Sequence, residues 1–128
     1  MDKFDDLLKN FDLEFFGSGK HKISVEAALE SFRNKSAVIV DVRAKEEVSY
    51  LKFEFAVNIA DSEIPDRLDE ISRNKTVIVF CSSVVRAAIV YVYLRIKGYD
   101  NVKILTADLS EIANCFKPGY ILKIVRDT

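Results

Sequence analysis

Thr76-Val77-Ile78-Val79-Phe80-Cys81-Ser82-Ser83-Val84-Val85-Arg86-Ala87-Ala88 decides the architecture. Its first five residues form a continuous β-branched and aromatic run. The run is too short for a helix and lacks polar alternation, which predicts a strand buried on both faces. Ala37-Val38-Ile39-Val40 is a second such run, Val102-Lys103-Ile104-Leu105 a third, and Val57-Asn58-Ile59 a briefer one. Helical patterns separate them. Ser24 can N-cap a helix over Val25 to Phe32. Ala44 to Tyr50 is helical in composition, and Asp61 to Ser72 carries Pro65 near its start. Arg86 to Lys97 predicts a long helix stopped by Gly98, and Asp108 to Phe116 another helix. Tyr120 to Val125 is a last apolar run. Strands alternating with helices imply crossover connections and a mostly parallel sheet. The expected fold is therefore α/β: an open, mostly parallel sheet of about five strands with helices on both faces, plus an extra N-terminal helix.

That extra helix rests on Phe4, Leu7, Leu8 and Phe11, an apolar stripe at helical spacing. The expected division is residues 1–22 for the amphipathic helix and its Gly-rich turn (Gly17-Ser18-Gly19-Lys20), and 23–128 for one domain. The turn lacks the glycine and the Ser/Thr of a phosphate loop. His21 is expected to be a solvated loop residue rather than a base.

The composition narrows the function classes. Nineteen Lys+Arg against twenty Asp+Glu give a net charge of −1, without the basic excess that nucleic acid requires. No stretch approaches the ~18 apolar residues of a membrane span, and the acidic start Met1-Asp2-Lys3-Phe4-Asp5-Asp6 does not resemble a secretory signal. A cytoplasmic location is expected, with no membrane or nucleic-acid partner. One histidine and two separated cysteines, Cys81 and Cys115, cannot form a local Cys/His metal site. No cofactor is expected.

In open α/β folds ligands sit beyond the carboxyl ends of the strands, and there Cys81 stands. A sulfur at that point meets the free N–H groups and positive dipole end of the following helix, and both favour a thiolate. The amides of Ser82, Ser83, Val84, Val85 and Arg86 are expected to curl around it as an anion cradle, with Arg86 adding a fixed cation. The expected result is an electropositive cup around one ionised sulfur. The bland alternative is a small buried cysteine ending a strand.

Several motifs in order bear on the choice: Val40-Asp41-Val42-Arg43, Glu46-Glu47-Val48, Ala56-Val57-Asn58-Ile59, Ile64-Pro65-Asp66-Arg67-Leu68, Val77-Ile78-Val79-Phe80-Cys81 and Gly98-Tyr99-Asp100-Asn101-Val102. In this order, over Ile23 to Phe116, the sequence resembles the rhodanese-like domain family. The resemblance implies a sulfurtransferase. Cys81 would be the nucleophile that takes sulfane sulfur from a donor such as thiosulfate or a persulfide-bearing protein. It would carry the sulfur as a persulfide and pass it to a thiophilic acceptor, a small molecule or a protein. Ser82 to Arg86 would bind the donor, with Asp41 and Arg43 in support. Val84 stands where the family usually has Gly, which would strain the loop if φ there were positive. Ser82 stands where Arg is common.

Two other readings compete. One is a catalytically weak or inactive module of this family, used to bind a protein or an anion. The other is a small-anion phosphatase or reductase. Phosphatase loops of the tyrosine-phosphatase type hold one residue more between Cys and Arg than the four enclosed by Cys81 and Arg86, which disfavours that reading. Cys115 is expected to pack in a helix rather than act as a resolving thiol.

Overall fold

A computed structural model describes residues 1–127. Five strands, β1 (Lys22–Ile23), β2 (Ala37–Asp41), β3 (Val57–Asn58), β4 (Thr76–Phe80) and β5 (Val102–Leu105), form one sheet in the order β1-β5-β4-β2-β3. Every neighbouring pair is parallel, and β2 runs in register with β4 from Ala37 opposite Thr76 to Asp41 opposite Phe80. The helices are α1 (Lys3–Lys9), α2 (Leu13–Ser18), α3 (Val25–Arg33), α4 (Lys45–Tyr50), α5 (Val85–Ile96), α6 (Leu109–Asn114) and α7 (Pro118–Asp127). The expected α/β architecture is the observed one.

Successive side chains of a strand point to opposite faces, and β4 divides the core accordingly. Val77, Val79 and Cys81 join the cluster containing Ala87, Val90, Tyr91 and Leu94 of α5. Ile78 and Phe80 join the cluster of Val25, Ala28 and Leu29 from α3 and Ile112 from α6. This parity turns Cys81 toward α5.

Three local expectations are corrected. The single N-terminal helix is two. Asn10 closes α1, and the Asp12 carboxylate accepts the Phe15 amide at 2.9 Å to cap α2, which runs on through Gly17 and Ser18 to Gly19 at φ 70°. Leu7 is buried while Phe4 and Leu8 are exposed, and Phe11 and Phe15 pack on the α5 cluster. The Asp61–Ser72 helix is instead a pair of 3₁₀ turns, Asp61–Asp66 and Leu68–Glu70. Pro65 has no amide to donate, and the bonds that form are i to i+3, such as Arg67 N–H to Ile64 O. The run Tyr120 to Val125 lies inside α7, with Pro118 as its first residue, a position where a missing N–H costs nothing. His21 is half-buried rather than a solvated loop residue: its ring stacks on Phe15 at 5.0 Å and meets the Phe16 ring edge at 5.4 Å.

Candidate active site

β4 ends at Phe80, whose carbonyl accepts the Val42 N–H at 2.9 Å. Cys81 follows, and α5 starts four residues later. The Cys81 side chain is 0% exposed. Its Sγ donates to the Ser83 carbonyl at 2.9 Å and accepts the Ala87 N–H at 3.4 Å. Among the described residues, no backbone hydrogen bond is donated by the amides of Ser82, Ser83, Val84, Val85 or Arg86. Five donors at the start of a twelve-residue helix are therefore without a partner from the chain's own backbone. The sulfur occupies the expected place, but it is sealed beneath the loop and engages one amide rather than a ring of them.

Val84 has φ −112° and ψ −19°, and Lys35 is the one non-glycine residue with positive φ among those described. The loop therefore turns without a left-handed residue at Val84, and the strain that a β-branched side chain would suffer there does not arise.

Arg86, expected as a fixed cation for an anion, is already engaged within the chain. Its guanidinium donates to both Glu47 oxygens, at 2.6 and 3.0 Å, and to Ser82 Oγ at 3.0 Å. The Arg86 hydrogen bond holds the Glu47 carboxyl down at about 2. Arg86 is itself raised, chiefly by that bond, with smaller contributions from the charges of Glu47, Cys81 and Asp61. Glu47 and Asp61 are the site residues that the sequence did not single out. Glu47 lies thirty-nine positions from Arg86, and no local pattern links the two.

Asp41 and Arg43 pair with each other at 2.7 Å, both nearly fully buried. Arg43 also donates to the Leu51 carbonyl at 2.8 Å, and the Asn58 amide bridges the Asp41 and Arg43 carbonyls, each at 2.9 Å. This network fixes the end of β2 and the loop after α4, while Arg43 still contributes to lowering Glu47. Cys115 caps α6 and packs with the α3–α6 cluster, where burial raises its thiol. Both cysteines are free, and they belong to clusters on opposite faces of the sheet.

The family model of the rhodanese-like domain matches residues 24–115. The chain belongs to the rhodanese-like domain family. Among solved structures, the rhodanese-like domain protein of Staphylococcus aureus is 26% identical with a TM-score of 0.63, and the match covers 71% of this chain and 89% of that one. A NAD-dependent persulfide reductase from A. fulgidus is 30% identical with a TM-score of 0.59. The match covers 80% of this chain but only 17% of the reductase. A single-domain sulfurtransferase of Saccharomyces cerevisiae, at 21% identity and a TM-score of 0.59, covers 73% of this chain and 89% of its own, and shows the shared fold. Comparison with curated proteins gives no significant match. In this rhodanese-like domain, no helix among the described residues is long and apolar enough to cross a membrane.

Proposed function

We propose that this rhodanese-like domain is a sulfurtransferase that carries sulfane sulfur as a persulfide on Cys81 and passes it to a thiophilic acceptor. The observation that carries this reading is a cysteine at the end of the central strand, held by the Ala87 amide, in a loop whose next five amides have no backbone partners. A persulfide bears its negative charge on the outer sulfur. The loop amides without backbone partners and the positive end of α5 are the groups available to stabilise that charge once the loop has parted around it. Similarity to a sulfurtransferase and to a persulfide reductase supports the same chemistry.

Incubation with thiosulfate, followed by intact-mass measurement, is expected to add the mass of one sulfur atom, and Cys81→Ser to abolish the addition. Cyanide in a parallel assay reports turnover as thiocyanate. Equal sulfur uptake by Cys81→Ser would refute the assignment. A second reading, a binding module without turnover, is favoured by the complete burial of Cys81 and its bond to the Ser83 carbonyl. Under that reading no donor loads Cys81.

A further inference from the structure

Resting on that transfer reading, we infer that the cognate donor is a persulfidated cysteine on an apolar, basic-flanked protein segment rather than a small inorganic dianion, because Glu47 and Ser82 occupy Arg86 beneath a mouth rimmed by Val84, Val85 and Ile89. The charge around the loop carries the first half of the inference. Arg86 is engaged by Glu47, Asp61 adds a second carboxylate that acts on it, and Arg43 is buried against Asp41. A dianion entering here meets the Glu47 carboxylate and a committed guanidinium. It must break the Glu47–Arg86 pair to gain a cation, against like-charge repulsion. A segment with a lysine or arginine beside its cysteine meets the same carboxylate as a partner.

The rim carries the second half. Val85 and Ile89 lie one turn apart on α5, 67% and 60% exposed, and so present one apolar face. Tyr50 shares a face of α4 with Glu47 and is 93% exposed. Beside Ile89 lies a cavity of about 140 Å³ lined by Ile64, Pro65, Val90 and Tyr93 together with Asp61 and Ser62, of a size to take one side chain. Because Cys81 is sealed, the loop must part as the donor seats. Contacts at the rim, remote from the reacting sulfur, supply the binding energy for that distortion. A small hydrated dianion has no such contacts to make.

The step balances without an external oxidant or reductant. The Cys81 sulfur attacks the outer sulfur of the donor's Cys–S–SH, and a new S–S bond forms as the donor's S–S bond breaks. The donor's inner sulfur leaves as a thiolate and takes up the proton given up by Cys81. Cys81–SH and R–S–SH become Cys81–S–SH and R–SH.

Single-turnover loading of Cys81, followed by intact mass, tests the inference with four donors: thiosulfate, glutathione persulfide, a peptide persulfide flanked by Leu and Lys, and the same peptide flanked by Asp. The Leu/Lys peptide is expected to load at least about tenfold faster than each of the others. Glu47→Gln is expected to raise the thiosulfate rate by roughly tenfold and narrow that gap. Ile89→Gln is expected to slow the Leu/Lys peptide by about fivefold while leaving thiosulfate unchanged. Thiosulfate or glutathione persulfide loading as fast as the Leu/Lys peptide overturns the inference and leaves the transfer reading standing, as does a donor preference that neither variant shifts. Loading by none of the four overturns both.

Discussion

Arg43 and Arg86 each hold a carboxylate, and burial separates what the two pairs contribute. Asp41 and Arg43 are out of water, so replacing one partner leaves an uncompensated charge in the core. Asp41→Asn is expected to lower unfolding stability by about 3–5 kcal/mol, read from urea denaturation midpoints. The Glu47–Arg86 pair is partly exposed, and solvent screens it. Glu47→Gln is expected to cost less than about 1 kcal/mol at neutral pH. The Glu47 carboxyl is lowered from 4.5 to about 2 by its Arg86 hydrogen bond. Its contribution is therefore full above pH 4.5 and is lost as the pH falls toward 2, so the variant and the parent should converge in acid denaturation at the lower limit. His21 works in the opposite direction. Burial, then Lys22 and Lys103, push its imidazole below 6.5, and its Nδ1 is buried with no hydrogen-bond partner. The unfolded chain takes up the proton before the folded one does, so stability is full above pH 6.5 and declines as the pH drops from there. His21→Phe, which keeps the stack on Phe15, is expected to remove that decline from a series of melting temperatures.

The elements show how much the sequence could disclose. β4 was legible because four apolar residues in a row after Thr76 have no stable place except between two covered faces, and from β4 the position and parity of Cys81 follow. The same holds for α5, which is stopped at Gly98 with φ 90°. Leu94 of α5 is fully buried against the β4–β5 surface, and Leu94→Ala is expected to cost about 2–5 kcal/mol by calorimetry or denaturant titration. β1 was not legible, since two residues have no period, and it exists because Lys22 and Ile23 pair with Ile104 and Leu105 far along the chain. The break between α1 and α2 was hidden for a related reason. The apolar stripe continues through Phe11, but Phe11 reaches Tyr91 on α5 with ring centres 6.3 Å apart, and that tertiary contact outweighs helical continuity. In the candidate site the cysteine, the loop and Arg86 were visible as one contiguous string. The burial of the sulfur and the grip of Glu47 were not, because both depend on how distant segments close over the loop.

Considered whole, the two apolar clusters are not separate bodies. They are the two faces of the same strands: Val77 and Val79 on one side, Ile78 on the other. Loosening either face exposes the backbone that supports the other. Thermal unfolding is therefore expected to be a single transition, with coincident midpoints for tyrosine fluorescence, which senses Tyr91, Tyr93 and Tyr99 on one face and Tyr120 on the other, and for far-ultraviolet dichroism. Separated midpoints would mean that the faces unfold independently.

The outermost strands, β1 and β3, are each two residues long. A margin that brief offers an incoming chain almost no ladder to extend. The central hydrophobic strand β4, which alone would be among the most fibril-prone segments, is flanked by β2 and β5 within the sheet. Concentrated solutions of the folded protein are thereby guarded against amyloid-type growth by the plan of the sheet itself, and the guard lasts only as long as those margins stay in place.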